Sequence, residues 1–206
     1  MNMGIAIGAV AAAYLIGSIP FGLLIGKLNG KDIRKEGSCN IGATNVTRVV
    51  GKWWGKLCFL CDFLKGFLPV FAVMCLYPGE GWLIALTALA TMLGHIFPVY
   101  LGFKGGKGVS TAAGAAMALC PLAVVIAGAV WVAVFFLSRY VSLASLAAAL
   151  ALPVSAWLLK IFAGFALPLP VGLLLILFAV LAFWRHRSNI VRLMNGTESR
   201  FAKEKK

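Results

Sequence analysis

Long apolar runs separated by short polar segments set the pattern of this chain. Nearly uninterrupted apolar stretches extend over about 4 to 26, 57 to 77, 82 to 101, 143 to 160 and 169 to 184. Each is close to the roughly 20 residues that a helix needs to cross a hydrocarbon core of about 30 Å. The stretch from Gly108 to Leu137 is different, because as one helix it would extend about 45 Å. Cys120 precedes Pro121 in its middle, and the residue before a proline is pushed out of helical geometry. The pattern therefore predicts two short helices meeting there. No polar segment is long enough to fold by itself, so residues 1–206 read as a single transmembrane domain with an all-α integral membrane fold. The first run follows MNMG, which has no Lys or Arg. It lacks the charged start of a secretory signal and is expected to stay attached.

Charge decides the number of spans. Nineteen basic residues face six acidic ones, a net charge of +13, on a chain that is 62% apolar with a mean hydropathy of +0.96. In a soluble protein such a balance would suggest nucleic acid; beside a bilayer it belongs to loops that meet anionic lipid, and no nucleic-acid partner is expected. The basic residues cluster between Lys27 and Lys56, at Lys104 and Lys107, at Arg139, and from Arg185 to Lys206. Seven spans put all of these clusters on one face, whereas six would put Arg139 and the tail opposite the first loop, against the positive-inside rule. The expectation is seven transmembrane helices, N-terminus outside and C-terminus cytoplasmic. Lys160 then ends a span on the outer side, and Lys65 lies within the second span.

The cysteines are Cys39, Cys58, Cys61, Cys75 and Cys120. Cys58 and Cys61 have metal-site spacing but no second Cys/His pair and an apolar setting, so they read as buried structural thiols.

The seven-span count also brings four polar segments to one membrane surface: RKEGSCNIGATNVTRVVG (34–51), FKGGKGVST (103–111), SRYVSLAS (138–145) and RHRSNIVRLMNGTE (185–198). Glycines let successive backbone N–H groups crowd together, and beside Lys or Arg such groups can cradle phosphate oxygens. GGKGV does not fit the G-x-x-x-x-G-K nucleotide loop. The His-x-x-x-x-Asp pattern of common glycerolipid acyltransferases is also missing, since Tyr100 follows His95 at that spacing and Val191 follows His186. The acids Asp32, Glu36, Asp62, Glu80, Glu198 and Glu204 are scattered, so neither a metal site nor another cofactor is expected.

GSIPFG (17–22), EGSCNIGATNVTR (36–48), GHIFPVYLGFKGGKGV (94–109) and RHRSNIVRLMNGTE (185–198) together resemble the bacterial membrane acyl-phosphate:glycerol-3-phosphate acyltransferases, in that family's order and over nearly the whole chain. The resemblance implies a seven-helix fold in the bacterial inner membrane, with the active site facing the cytoplasm. It further implies transfer of a fatty acyl group from acyl phosphate to the sn-1 hydroxyl of glycerol 3-phosphate, giving lysophosphatidic acid for phospholipid synthesis. Acyl-CoA and acyl carrier protein are not the family's donors. Catalytic roles are implied at Ser38, Arg48, Lys104, His186 and Asn189. Substrate contacts are implied at Asn40, Gly42, Thr44, Asn45, Gly105, Gly106, Lys107, Ser142 and Glu198.

Two phosphate-bearing substrates account for the hydroxyls, amides and cations of these segments. His186 and Asn189, three residues apart, would share a helix face; His186 serves to bind phosphate or to take the hydroxyl proton. Ser142 and Ser145 read equally as helix caps or ligands, and His95 equally as a packing residue or a site residue. Asp62 and Lys65 read as a structural pair or a support for the first loop. One departure is Cys39, where the family more often has glycine; a positive φ there would strain a side chain. An anion transporter or a lipid-binding membrane protein, using the same basic surface without chemistry, is the competing class, of which transport makes the sharper forecast. It predicts polar residues running through the spans or inverted repeats, and the sequence shows neither.

Overall fold

The computed structural model describes residues 2–201; Lys203, Glu204, Lys205 and Lys206 of the basic tail lie outside them. All regular structure among the described residues is helical. It falls into two compact units, one ending at Leu119 and one beginning at Cys120.

The first unit opens with α1 (Met3–Gly17), whose first turn is capped by the Asn2 side chain accepting the Gly4 N–H at 2.9 Å. Pro20 cannot continue a helical hydrogen-bond ladder, so the first apolar run breaks and resumes as α2 (Phe21–Leu28). The polar segment that follows contains α3 (Ala43–Val49). α4 (Lys52–Leu76) starts earlier than the apolar pattern suggests, taking Trp53 and Trp54 into its first turn. α5 (Gly81–Ile96) stops before Phe97 and Pro98, passes through a 3-10 turn at Val99–Leu101, and leads by the glycine–lysine loop into α6 (Val109–Leu119).

The helices of this unit pack through glycine. A Cβ at Gly17 would run into the Thr91 carbonyl and one at Gly94 into the Tyr14 carbonyl, so α1 and α5 touch backbone to backbone; Gly66 and Gly114 do the same for α4 and α6 against Thr111 and Phe63. Small residues at the contact are how helices gain dispersion energy in lipid, where burial from water no longer drives association. Leu23, Ile25, Ile33, Ile41, Val46 and Cys58 form a separate small core beneath the first polar segment, which is thus a folded lobe.

In the second unit α7 (Pro121–Ser138) packs on α8 (Val141–Ala163), and α8 on α9 (Leu169–Arg185). A bend of 58° separates α9 from α10 (Arg187–Met194). The interruption expected at Cys120 and Pro121 is present, with Pro121 at the first position of α7, where its missing N–H breaks no intrahelical bond.

Among the described residues, five stretches are long and apolar enough to cross a membrane, and the bent α9 and α10 make a sixth if taken together. The seven expected from charge exceed this count because α6 has only 11 residues, about 16 Å of helix. All five cysteines are free, and only Cys58 is fully buried; Cys75 is exposed on α4, and Cys61 and Cys120 are half-buried. Of the pair expected to be buried, Cys58 is buried and Cys61 only half-buried.

Candidate active site

The first polar segment is shaped by one amide. Asn45 lies in α3 and is 1% exposed. Its Oδ1 accepts the Ser38 N–H at 2.8 Å, and its Nδ2 donates to the carbonyls of Ile33 at 2.8 Å and Glu36 at 3.1 Å. Both amide hydrogens are therefore committed to backbone. Asn45 therefore holds the loop together from within. Asn40 plays a similar local part, accepting the Gly42 N–H at 2.9 Å as Gly42 starts α3. Ser38 and Arg48 are exposed and Thr44 is half-buried. Cys39 has φ 55, the left-handed conformation that strains a residue with a Cβ.

The glycine–lysine loop is fastened to the end of α5. Gly105 donates its N–H to the Ile96 carbonyl at 3.1 Å, and Gly106 donates to the His95 carbonyl at 3.0 Å. These are two of the carbonyls that a helix leaves without intrahelical partners at its C-terminus. Both of these N–H groups point back at α5. The glycines are needed for closeness, since a Cβ on Gly105 would strike the His95 carbonyl and Pro98, and one on Gly106 the His95 ring. The cations are left outward, with Lys104 exposed and Lys107 half-buried.

Beneath the loop lies an ionic cluster. Asp62, Lys65 and His95 are 1%, 4% and 3% exposed. Lys65 Nζ stands 2.8 Å from Asp62 Oδ1 and donates at 2.7 Å to the Ile19 carbonyl beside the break between α1 and α2. The Asp62–Lys65 pair is present as its spacing predicts, and His95 joins it, with Nδ1 at 3.6 Å from Asp62 Oδ1.

The second unit builds its polar centre on Glu198. Its carboxylate accepts hydrogen bonds from Ser142 Oγ at 2.7 Å and Asn189 Nδ2 at 2.6 Å, and pairs with Arg192 Nε at 2.8 Å. Its side chain is 7% exposed. Burial by itself would raise the carboxyl pKa, but the hydrogen bonds from Ser142, Asn189 and Arg192 prevail and hold it below the usual glutamate range. Within the protein Glu198 thus organises Ser142, Asn189 and Arg192 around one carboxylate. Arg192, which sequence reasoning missed, completes this set; its spacing of six from Glu198 gives no signal until the chain turns at Gly196, where φ is 69.

His186 sits at the bend between α9 and α10, 2% exposed. Its Nδ1 lies 2.8 Å from the Ala182 carbonyl, which can only accept, so Nδ1 carries the proton and a neutral ring keeps its lone pair on Nε2. Ser145 accepts from Trp131 Nε1 at 3.2 Å, a packing role. Arg139, at the end of α7 with φ 64, offers its carbonyl to the Phe201 N–H at 3.0 Å, which ties down the tail after Glu198.

Comparison with known proteins gives one answer. The family described as Glycerol-3-phosphate acyltransferase matches residues 7–196. A glycerol-3-phosphate acyltransferase of Aquifex aeolicus (strain VF5) is 47% identical across 93% of this chain and 97% of its own length. One of Desulfotalea psychrophila (strain LSv54 / DSM 12343) is 47% identical across 93% and 96%. Among solved structures, the chain is similar to PlsY (YgiH), an integral membrane glycerol 3-phosphate acyltransferase. The glycerol 3-phosphate form has a TM-score of 0.89 at 45% identity, and the lysophosphatidic acid form 0.86 at 46%; each match covers 97% of this chain and 96% of the other.

Proposed function

The chain belongs to the glycerol-3-phosphate acyltransferase family, and from that premise we propose that it transfers a fatty acyl group from acyl phosphate to the sn-1 hydroxyl of glycerol 3-phosphate. It is a multi-pass integral membrane protein of the acyltransferase class. The observation that carries the proposal is the match in sequence and fold to an enzyme known in a glycerol 3-phosphate form and a lysophosphatidic acid form. Those two molecules differ by one acyl group. The acyl-phosphate donor, with acyl-CoA and acyl carrier protein excluded, rests on the four motifs read from the sequence.

The chemistry suits the residues. Acyl phosphate is a mixed anhydride, so the glycerol hydroxyl oxygen attacks the carbonyl carbon, the bond from that carbon to the phosphate oxygen breaks, and inorganic phosphate leaves with the hydroxyl proton. No covalent enzyme nucleophile is needed, only orientation and charge neutralisation. Lys104, Lys107 and Arg48 are the fixed cations assigned to the two phosphates, with Ser38, Asn40, Gly42 and Thr44 supplying short donors around them. His186 and Asn189 bind substrate in the second unit, and a substrate phosphate oxygen takes the proton. Ser142 serves through Glu198.

The proposal includes residues 1–206 acting as one acyltransferase domain in a bacterial inner membrane. It has seven spans, α6 being the short one, with the N-terminus outside and the polar loops in the cytoplasm. The basic loop charges support that orientation. Labelling single cysteines in a Cys-free background checks it, and an externally reactive C-terminus overturns it. Purified protein given palmitoyl phosphate and glycerol 3-phosphate should release lysophosphatidic acid and phosphate without palmitoyl-CoA. Recovery of unreacted substrates from folded protein, or turnover with the thioester alone, overturns the donor assignment.

A further inference from the structure

The buried cluster under the glycine–lysine loop has no role in the reaction as proposed above, yet it places three ionisable side chains inside apolar helices. Isolated charges there are expensive, and they persist where they are paired and serve the protein's function. The imidazole of His95 spans between two things. On one side its Nδ1 faces Asp62 Oδ1 at 3.6 Å; on the other its Nε2 apex faces Gly106 so closely that no Cβ fits between them. The same residue's carbonyl takes the Gly106 N–H at 3.0 Å, so ring and backbone of His95 both bear on one glycine. Asp62 is in turn fixed by Lys65 at 2.8 Å, and Lys65 by the Ile19 carbonyl at 2.7 Å. α4, the break between α1 and α2, and the end of α5 are thereby joined at one point beneath the loop.

We infer that His95 is a positioning residue whose imidazole acts as a strut between Asp62 and Gly106, setting where the loop presents Lys104 and Lys107 to the phosphate of glycerol 3-phosphate. This rests on the functional reading above. The strut has a definite length, so a side chain added at Gly106 and a ring removed at His95 are opposite errors. The methyl group of Gly106→Ala fits the space that the imidazole leaves.

The test is a double-variant cycle on the full-length purified chain, reading kcat, the KM of each substrate, and glycerol 3-phosphate affinity by calorimetry. Gly106→Ala and His95→Ala should each lower kcat/KM for glycerol 3-phosphate roughly 10- to 100-fold, as misplacement by about an ångström does. The double variant should lose no more than the worse single one, with the change in KM for glycerol 3-phosphate exceeding that for acyl phosphate. In the His95→Ala background, Lys104→Ala should add little. His95→Gln, whose amide can reach the Nε2 position, should recover part of the loss and covers the case in which His95→Ala does not fold. Simultaneous Asp62→Asn and Lys65→Met, which removes both charges of the pair, should reproduce the His95→Ala kinetics in folded protein. Losses that multiply across the cycle in folded protein, or equal changes in both KM values, make His95 a packing residue and overturn the inference while leaving the function intact. A wild-type chain that binds no glycerol 3-phosphate overturns both.

Discussion

The two polar centres are built on different plans. In the first unit the lysines stand on a turn held by backbone hydrogen bonds to the end of α5 and by a buried ionic cluster that joins three elements. In the second, Ser142, Asn189 and Arg192 are gathered by one carboxylate, Glu198, which belongs to no helix. The first arrangement has many attachments and leaves Lys104 exposed; the second hangs its donors on one covered carboxylate. A centre with many attachments is broken by removing what it presents. A centre with one is broken by removing what holds it.

The largest effect is expected at the presented cation. Lys104→Ala should lower kcat/KM by an amount equivalent to about 2 to 5 kcal/mol, as loss of a charged partner or a single oxyanion donor does. Lys160→Ala is the control, since its ammonium lies 5.0 Å over the Trp157 ring at the end of an apolar helix and should change kcat/KM by less than about twofold. Equal, small effects in proteins extracted at similar yield would reduce the glycine–lysine loop to a membrane anchor.

Next comes the holder in the second unit. Glu198→Ala leaves a covered amide and hydroxyl without their acceptor and should destabilise by about 2 to 4 kcal/mol. This would read as a lower thermal midpoint in detergent together with lost activity, whereas Lys104→Ala should lose activity at an unchanged midpoint. Identical midpoints for the two variants would erase the distinction between presenting and holding.

A smaller effect follows from acid. Glu198 titrates below its unfolded value, so its contribution is complete above the unfolded carboxyl pKa of about 4.3 and is lost as pH falls through the folded value. The thermal midpoint should drop between about pH 5 and pH 3 in wild type, and the drop should be shallower in Glu198→Gln. Equal slopes would place the acid-sensitive group elsewhere.

The smallest effect sharpens the first unit. Cys39→Gly removes the strain of φ 55 and should stabilise the lobe by no more than about 1 kcal/mol, partly offset by the greater freedom of glycine in the unfolded chain. Activity should be nearly unchanged.

The helices, the break before Pro121 and the Asp62–Lys65 pair were legible because each follows from a local rule: apolar length, proline sterics, i,i+3 spacing. The roles of Asn45 and Glu198 were not. Both are polar residues in polar motifs, and whether such a side chain meets a ligand or its own backbone depends on where the chain folds back. Asn45 reaches Ile33 twelve residues upstream, and Glu198 reaches Ser142 fifty-six residues away. The direction of the Gly105 and Gly106 N–H groups was hidden for the same reason, since it depends on the loop lying against α5. At Cys39 the sequence raised only the condition, strain if φ were positive, and the backbone meets it with φ 55.

The Asp62–Lys65 pair also bears on how the chain enters the bilayer. Either charge alone near the centre of a newly inserting helix adds about 2.5 to 3.5 kcal/mol to the cost of leaving the translocon. Because the partners are one turn apart on α4 and 2.8 Å from each other, the helix brings its own counter-ion, and its middle can partition laterally with no net charge, before α5 and His95 have been synthesised. The Ile19 carbonyl that Lys65 later meets lies in the segment already delivered. Assembly of the first unit can therefore proceed in the order of translation, with no step in which an uncompensated ion must wait in lipid for a helix still to come.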